Sequence, residues 1–331
     1  MSEIPALQVR GLTTRFATPH GSITAVDGVS FSVGRGETLG LVGESGSGKS
    51  VTAMSILRLV SPPGLIVGGS VCLNGTELLT LDNEQMRRRR GTEVGMVFQN
   101  PMTALNPVFS IGWQMREALR AHNYSGDANA RIQDALVAVG MPDPDRQAAA
   151  FAHQMSGGMR QRVVIAMGML HRPPLLIADE PTTALDVTIQ AQVLALMKRL
   201  THERGTALLL ITHNMGVIAR MCDRVAVMYA GEIVEEATVD ELFSHPRHPY
   251  TQGLLRSIPR ADQTRGKLPS LAGAPPDMTR PLSGCRFRAR CDFAIDACSN
   301  HPELDEIVPG HRARCWIAQE KFAVVGSTSA H

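Results

Sequence analysis

Aromatic residues are scarce: 9 Phe, 3 Tyr and 2 Trp make up 4% of the 331 residues. Long apolar runs are missing too. The longest, such as Leu208–Ile211, fall far short of the about 18 residues a membrane-spanning helix needs. Neither sign of charge is in excess. Lys+Arg number 33 and Asp+Glu 31, leaving +2, which argues against a body built to hold nucleic acid or anionic lipid. The start, Met1-Ser2-Glu3-Ile4-Pro5, has no basic stretch followed by an apolar one. No secretory signal is expected there, and the expected compartment is the cytoplasm. With 44% hydrophobic and 19% charged residues, the chain has ordinary globular usage and the length to bury a core without staples. About two domains are expected. The six cysteines are unevenly spread: Cys72 and Cys222 stand alone, while Cys285, Cys291, Cys298 and Cys315 gather near the end.

Residues 1–244 alternate short apolar runs with helical patterns. Strands are expected at Leu7–Phe16, Thr38–Val42, Val94–Gln99, Leu175–Ala178, Ala207–Thr212 and Arg224–Tyr229. That alternation predicts an α/β fold with a mainly parallel sheet. Little in Trp113–Leu170 reads as strand, so a helical insertion is expected at about 108–170. After 244 the texture changes. His245-Pro246-Arg247-His248-Pro249 breaks the pattern, and Pro269–Pro281 is rich in Pro, Gly and small residues. A linker and a small second module over 245–331 are expected.

Gly43-Glu44-Ser45-Gly46-Ser47-Gly48-Lys49-Ser50 fits G-x-x-x-x-G-K-[ST], after an apolar strand and before a helix. Glycines let successive N–H groups turn toward phosphate oxygens, and the helix N-terminus adds partial positive charge. Lys49 offers a point charge to the β- and γ-phosphates, and Ser50 a hydroxyl to Mg²⁺. A glycine-rich turn before a helix is the competing reading. Leu175-Leu176-Ile177-Ala178-Asp179-Glu180 is an apolar strand ending in two carboxylates, where ligands of open parallel sheets sit. Asp179 suits the metal's water shell, and Glu180 the attacking water. Alone, such a pair is more often a solvated turn.

Met155-Ser156-Gly157-Gly158-Met159-Arg160-Gln161-Arg162 precedes a helix, Gln99 ends a strand, His213 follows one, and Ala184-Leu185-Asp186 follows the acid pair. In order and spacing these motifs resemble the nucleotide-binding domain of ABC transporters over about 240 residues. The resemblance implies a parallel sheet core with an antiparallel β subdomain and a helical subdomain. It implies that Phe16 stacks on adenine and that Gly43 to Val51 cradle the ATP phosphates. Gln99 would contact Mg²⁺ and the water region, and His213 the γ-phosphate. Asp186 would lie at a dimer interface, and Ser156, Gly157 and Gly158 would bind ATP held by the opposite subunit. The common signature carries Leu and Gln where Met155 and Met159 stand; neither change removes a phosphate ligand.

His248-Pro249-Tyr250-Thr251-Gln252-Gly253-Leu254-Leu255 with Ile258-Pro259, and Gln99-Asn100-Pro101-Met102-Thr103-Ala104-Leu105-Asn106-Pro107, resemble dipeptide and oligopeptide importer ATPases. Nickel importers share these features. The resemblance implies ATP hydrolysis that energises peptide uptake, with a second ATPase subunit (a heterodimer), two permeases and an extracytoplasmic peptide-binding protein. It places the chain on the cytoplasmic membrane face through the permeases. A soluble ABC ATPase of nucleic-acid or ribosome metabolism and a non-catalytic regulatory subunit are the alternatives. No nucleic-acid partner is expected.

Four thiols within a short stretch of a cytosolic chain suggest a metal rather than disulfides. The absence of a close C-x2-C pair weakens a zinc reading, and four thiolates suit a [4Fe–4S] cluster. The importer resemblance favours the cluster, with Cys285, Cys291, Cys298 and Cys315 as ligands; Zn²⁺ and unligated thiols are the alternatives. Arg87–Arg90 reads as a solvated helix face rather than a nucleic-acid patch.

Overall fold

The computed structural model describes residues 4–19, 21–99, 101–183, 185–258, 271–280 and 282–319. Asn100, Ala184, Pro259 and part of the Pro269–Pro281 stretch lie outside them. The first strands are β1 (Leu7–Thr18), β2 (Gly21–Val33), β3 (Thr38–Val42), β4 (Gly64–Leu73), β5 (Thr76–Glu77) and β6 (Val94–Val97). The later ones are β7 (Leu175–Asp179), β8 (Ala207–Thr212), β9 (Arg224–Tyr229), β10 (Glu232–Thr238), β11 (Asp305–Val308) and β12 (His311–Ala313). The chain divides into two compact units. One comprises Met1–Leu7, Ser32–Thr38 and Cys72–Ile211, the other Gln8–Phe31, Leu39–Val71 and Thr212–His331.

In the first unit, β6, β7 and β8 run parallel, with Val94 opposite Leu175 and Leu175 opposite Ala207. Strands covered on both faces need continuous apolar runs. Leu175, Ile177 and Leu208 to Ile211 are indeed fully buried. Between β6 and β7 the described chain is helical: Ile111–Arg120, Ala128–Ala138, Pro144–Ala149 and Gly157–Gly168. Helix Asn83–Arg89 carries the arginine run. It opens with a capping box of Asp82 and Gln85. Arg87 and Arg88 both pair with Glu84, and Arg89 with Glu93. Those hydrogen bonds hold the Glu84 carboxyl down at about 2. The run is therefore a self-paired helix face.

In the second unit, β3 and β9 are parallel, with Leu39 opposite Arg224. β9 turns back into antiparallel β10, β10 pairs antiparallel with β12, and β12 with β11. The chain's late residues thus extend a sheet begun by β3. β10 has the sequence Glu232-Ile233-Val234-Glu235-Glu236-Ala237-Thr238, with three buried glutamates. Each has a basic partner from the late segment. Glu232 meets Arg286, Glu235 meets His311, and Glu236 meets Arg312. A buried charge persists only when paired in this way. A separate sheet joins β2, β1 and β4 in that order.

Candidate functional site

The phosphate-type loop follows β3 and leads into the eight-residue helix Lys49–Ile56. Gly48 caps that helix with φ 104°. A Cβ at Gly48 would stand 2.3 Å from the Ala25 carbonyl oxygen, and one at Gly43 2.1 Å from that of Met228. Only glycine fits either place, because backbone cannot yield as a side-chain tip can. Ser45, Gly46 and Ser50 face solvent, while Ser47 and Lys49 are buried. Lys49 Nζ donates to the Gly43 and Glu44 carbonyls, both at 2.8 Å. The cation therefore lies inside the curl of its own loop. The Ser47 carbonyl accepts the Gly231 amide at 2.9 Å, so the turn between β9 and β10 supports the loop from beneath.

Phe16, half-buried on β1, lies against Gly64, where a Cβ would stand 2.5 Å from the ring. His213 follows β8, exposed, in the unit that also holds the loop. The other unit holds Gln99, the signature residues, the acid pair and Asp186.

Asp179 ends β7 and is 4% exposed. Glu180, next along, has φ 46°, a left-handed conformation that a non-glycine residue adopts at a cost of about 1–3 kcal/mol. Its amide donates to the Ile211 carbonyl at 2.8 Å, and its carboxylate accepts from the Thr183 hydroxyl at 2.7 Å. Both contacts fix the direction of the side chain. Gln99 is exposed in a bend beyond β6.

Ser156 caps helix Gly157–Gly168 by accepting the Met159 amide at 3.3 Å. A Cβ at Gly157 would make only ordinary contact with Leu185, at 3.8 Å, whereas a Cβ at Gly158 would meet Ile189 at 2.8 Å. Gly158 is therefore a packing residue as well as a phosphate candidate. Asp186 caps helix Val187–Arg204 through the Ile189 amide at 2.9 Å, a structural duty the motif reading missed. Asp-x-x-Ile before a helical run carried that signal.

The [4Fe–4S] expectation is corrected. Among the described residues no group of three or more His, Cys, Asp or Glu could hold a metal ion. All four late cysteines are free thiols. Cys285 and Cys291 pack against the apolar cluster around Tyr229, Tyr250 and Phe287, while Cys315 belongs to another with Ala313 and Ala318. Burial pushes the Cys285 thiol up to about 11 and raises those of Cys291 and Cys315. Cys285 and Cys291, half-buried, and Cys315, buried, are small apolar side chains with their protons on.

Sequence reasoning also missed a residue that touches the loop. Arg290 forks onto the Glu44 carboxylate, at 2.7 and 3.0 Å. The Glu44 amide donates to the Tyr250 hydroxyl at 2.9 Å. Nothing in the sequence flagged contacts spanning more than two hundred residues.

Comparison with known proteins places this geometry. Residues 26–183 match the model of the ABC transporter family, and residues 234–298 that of the oligopeptide/dipeptide transporter C-terminal region. An oligopeptide transport ATP-binding protein, OppD, of Haemophilus influenzae is 45% identical, over 96% of this chain and 99% of that one. OppD of Bacillus subtilis is 46% identical, over 94% and 88%. Among solved structures, the dimeric ATP-binding cassette MJ0796 in a post-hydrolysis state with ADP and Pi matches with TM-score 0.63 and 27% identity. That match covers 70% of this chain and 98% of that one.

Proposed function

Because the chain belongs to the ABC transporter ATP-binding family, in its oligopeptide/dipeptide branch, we propose that it hydrolyses ATP to energise oligopeptide uptake by a membrane importer. The carrying observation is Lys49, buried in the curl of a loop whose Gly43 and Gly48 admit no side chain. A cation and a ring of amides so placed bind a triphosphate.

The roles follow from each residue's chemistry. Phe16 stacks on the base, and Gly43 to Val51 hold the phosphates. Asp179, a buried carboxylate at a strand end, the Ser50 hydroxyl and the Gln99 amide oxygen are hard oxygen donors, the ligand type Mg²⁺ takes. Bound there, Mg²⁺ neutralises phosphate charge. Glu180 takes the proton of the attacking water, and His213 donates to the γ-phosphate. Ser156, Gly157 and Gly158 serve the ATP of the opposite subunit, with Asp186 at that interface. Two ATPase subunits are then needed, and a different second chain is our reading.

No helix among the described residues is long and apolar enough to cross a membrane. Two permeases hold the subunit at the cytoplasmic face, and an extracytoplasmic binding protein delivers the peptide. Residues 1–244 form the nucleotide-binding domain, with its helical subdomain at about 108–170, and 245–331 the importer extension. The reported relatives favour neither nickel uptake nor nucleic-acid work. The deciding experiment is Lys49→Ala in the assembled importer. Loss of ATP binding and of peptide uptake together is expected; uptake that persists overturns the reading.

A further inference from the structure

Glu44 is an odd residue for a loop that must receive a polyanion. It follows Gly43 directly, and an uncovered carboxylate there would repel phosphate. It is not uncovered. Arg290 makes a two-pronged contact with both of its oxygens. The Arg290 side chain is only 4% exposed. Its guanidinium also reaches the Tyr229 hydroxyl at 3.3 Å and lies 5.7 and 5.8 Å from the Tyr229 and Phe287 ring centres. Those rings pack on each other and on Tyr250, which backs them. A planar cation among aromatic faces is held in one direction before its partner arrives.

We propose that Arg290, supplied by the late importer segment, neutralises Glu44 and so sets the affinity of the phosphate loop for ATP. Arg286, four residues earlier, adds a second brace. It donates to the Ala230 carbonyl in the turn whose next residue, Gly231, supports Ser47. Arg290 is thus a positioning and charge-masking residue acting through Glu44. This inference rests on the reading that the loop binds ATP.

The test uses the full chain and a fluorescent ATP analogue, with thermal melts to verify folding. Arg290→Ala should bind the analogue about tenfold more weakly, because one charge is left unmatched beside the loop. The loss should shrink at high salt. Removing the charge as well, in Glu44→Gln with Arg290→Ala, should recover most of the affinity. A merely structural arginine gives no such recovery. Arg290→Lys, which keeps the charge but not the fork, should fall between parent and Arg290→Ala, and it serves if the alanine variant does not fold. Arg290→Ala within twofold of the parent, or a double variant as weak as the single, overturns the proposal. A parent chain that binds no ATP overturns the function reading and this inference with it, whereas normal parental binding with an indifferent Arg290 overturns this inference alone.

Discussion

His311 Nε2 lies 2.7 Å from Glu235 Oε1, and both side chains are wholly buried. The same carboxylate accepts the backbone amides of Arg247 and His248. One strand residue therefore ties down both the start of helix Pro249–Arg256 and the late strand β12. Glu235→Ala would leave His311 Nε2 and two backbone amides without their acceptor, while His311 Nδ1 keeps Glu241. A loss of about 3 kcal/mol is expected in urea unfolding. Glu235→Gln, which keeps an acceptor oxygen but not the charge, should lose less; a loss equal to that of the alanine variant would assign the effect to the charge rather than to the acceptor.

His248 gives the protein a pH dependence of definite sign. Burial first of all depresses its imidazole from 6.5 to about 4, against the opposing pull of Glu235 and with the help of Arg314. Its Nδ1 accepts the Tyr250 amide at 3.1 Å, so the folded ring is neutral with its proton on Nε2. Below pH 6.5 the unfolded chain takes up a proton that the folded chain refuses. Stability is therefore present above that pH and lost as pH falls toward 4. Unfolding free energy should drop by about 2 kcal/mol between pH 7.5 and pH 5. His248→Gln should flatten that slope, and an unchanged slope would assign the dependence to other groups.

Glu180→Gln removes the base and keeps the shape and the Thr183 contact. ATP binding should persist while turnover in the assembled importer falls by about a hundredfold or more. Unchanged turnover would take Glu180 out of the base role.

Gly48→Ala tests the loop's backbone. The new Cβ would meet the Ala25 carbonyl at 2.3 Å in a residue with φ 104°. About 2 kcal/mol of stability should be lost, together with ATP binding. Wild-type affinity would mean that the loop relaxes more freely than its contacts allow.

Much of this was legible in the sequence, for identifiable reasons. β3, β8 and β9 fall at Thr38–Val42, Ala207–Thr212 and Arg224–Tyr229, as their unbroken apolar runs predict. β1 extends two residues past Phe16, β7 gains Asp179, and β6 stops at Val97, short of Gln99. β2, β4 and β10 were not foreseen. β2 and β4 carry glycines and polar residues that read as loop. β10 hid behind glutamates whose partners come from residues 286–312. The motif residues were found by local order, since loop, strand end and helix cap are each a few residues long. Glu44 and Arg290, 246 residues apart, have no local signature. The cysteine count misled because spacing says nothing about where thiols point or what they pack on.

The pairing of β10 with β12 also imposes a timetable on synthesis. Glu235 and His311 are 76 residues apart. At roughly 5–20 residues per second, β10 leaves the ribosome about 4–15 s before its outer neighbour exists. Throughout that interval its edge is open to any passing strand. The glutamates that end up buried then have a second use. While unpaired they keep the nascent edge charged and hydrated, and they admit only a strand that brings its own basic residues.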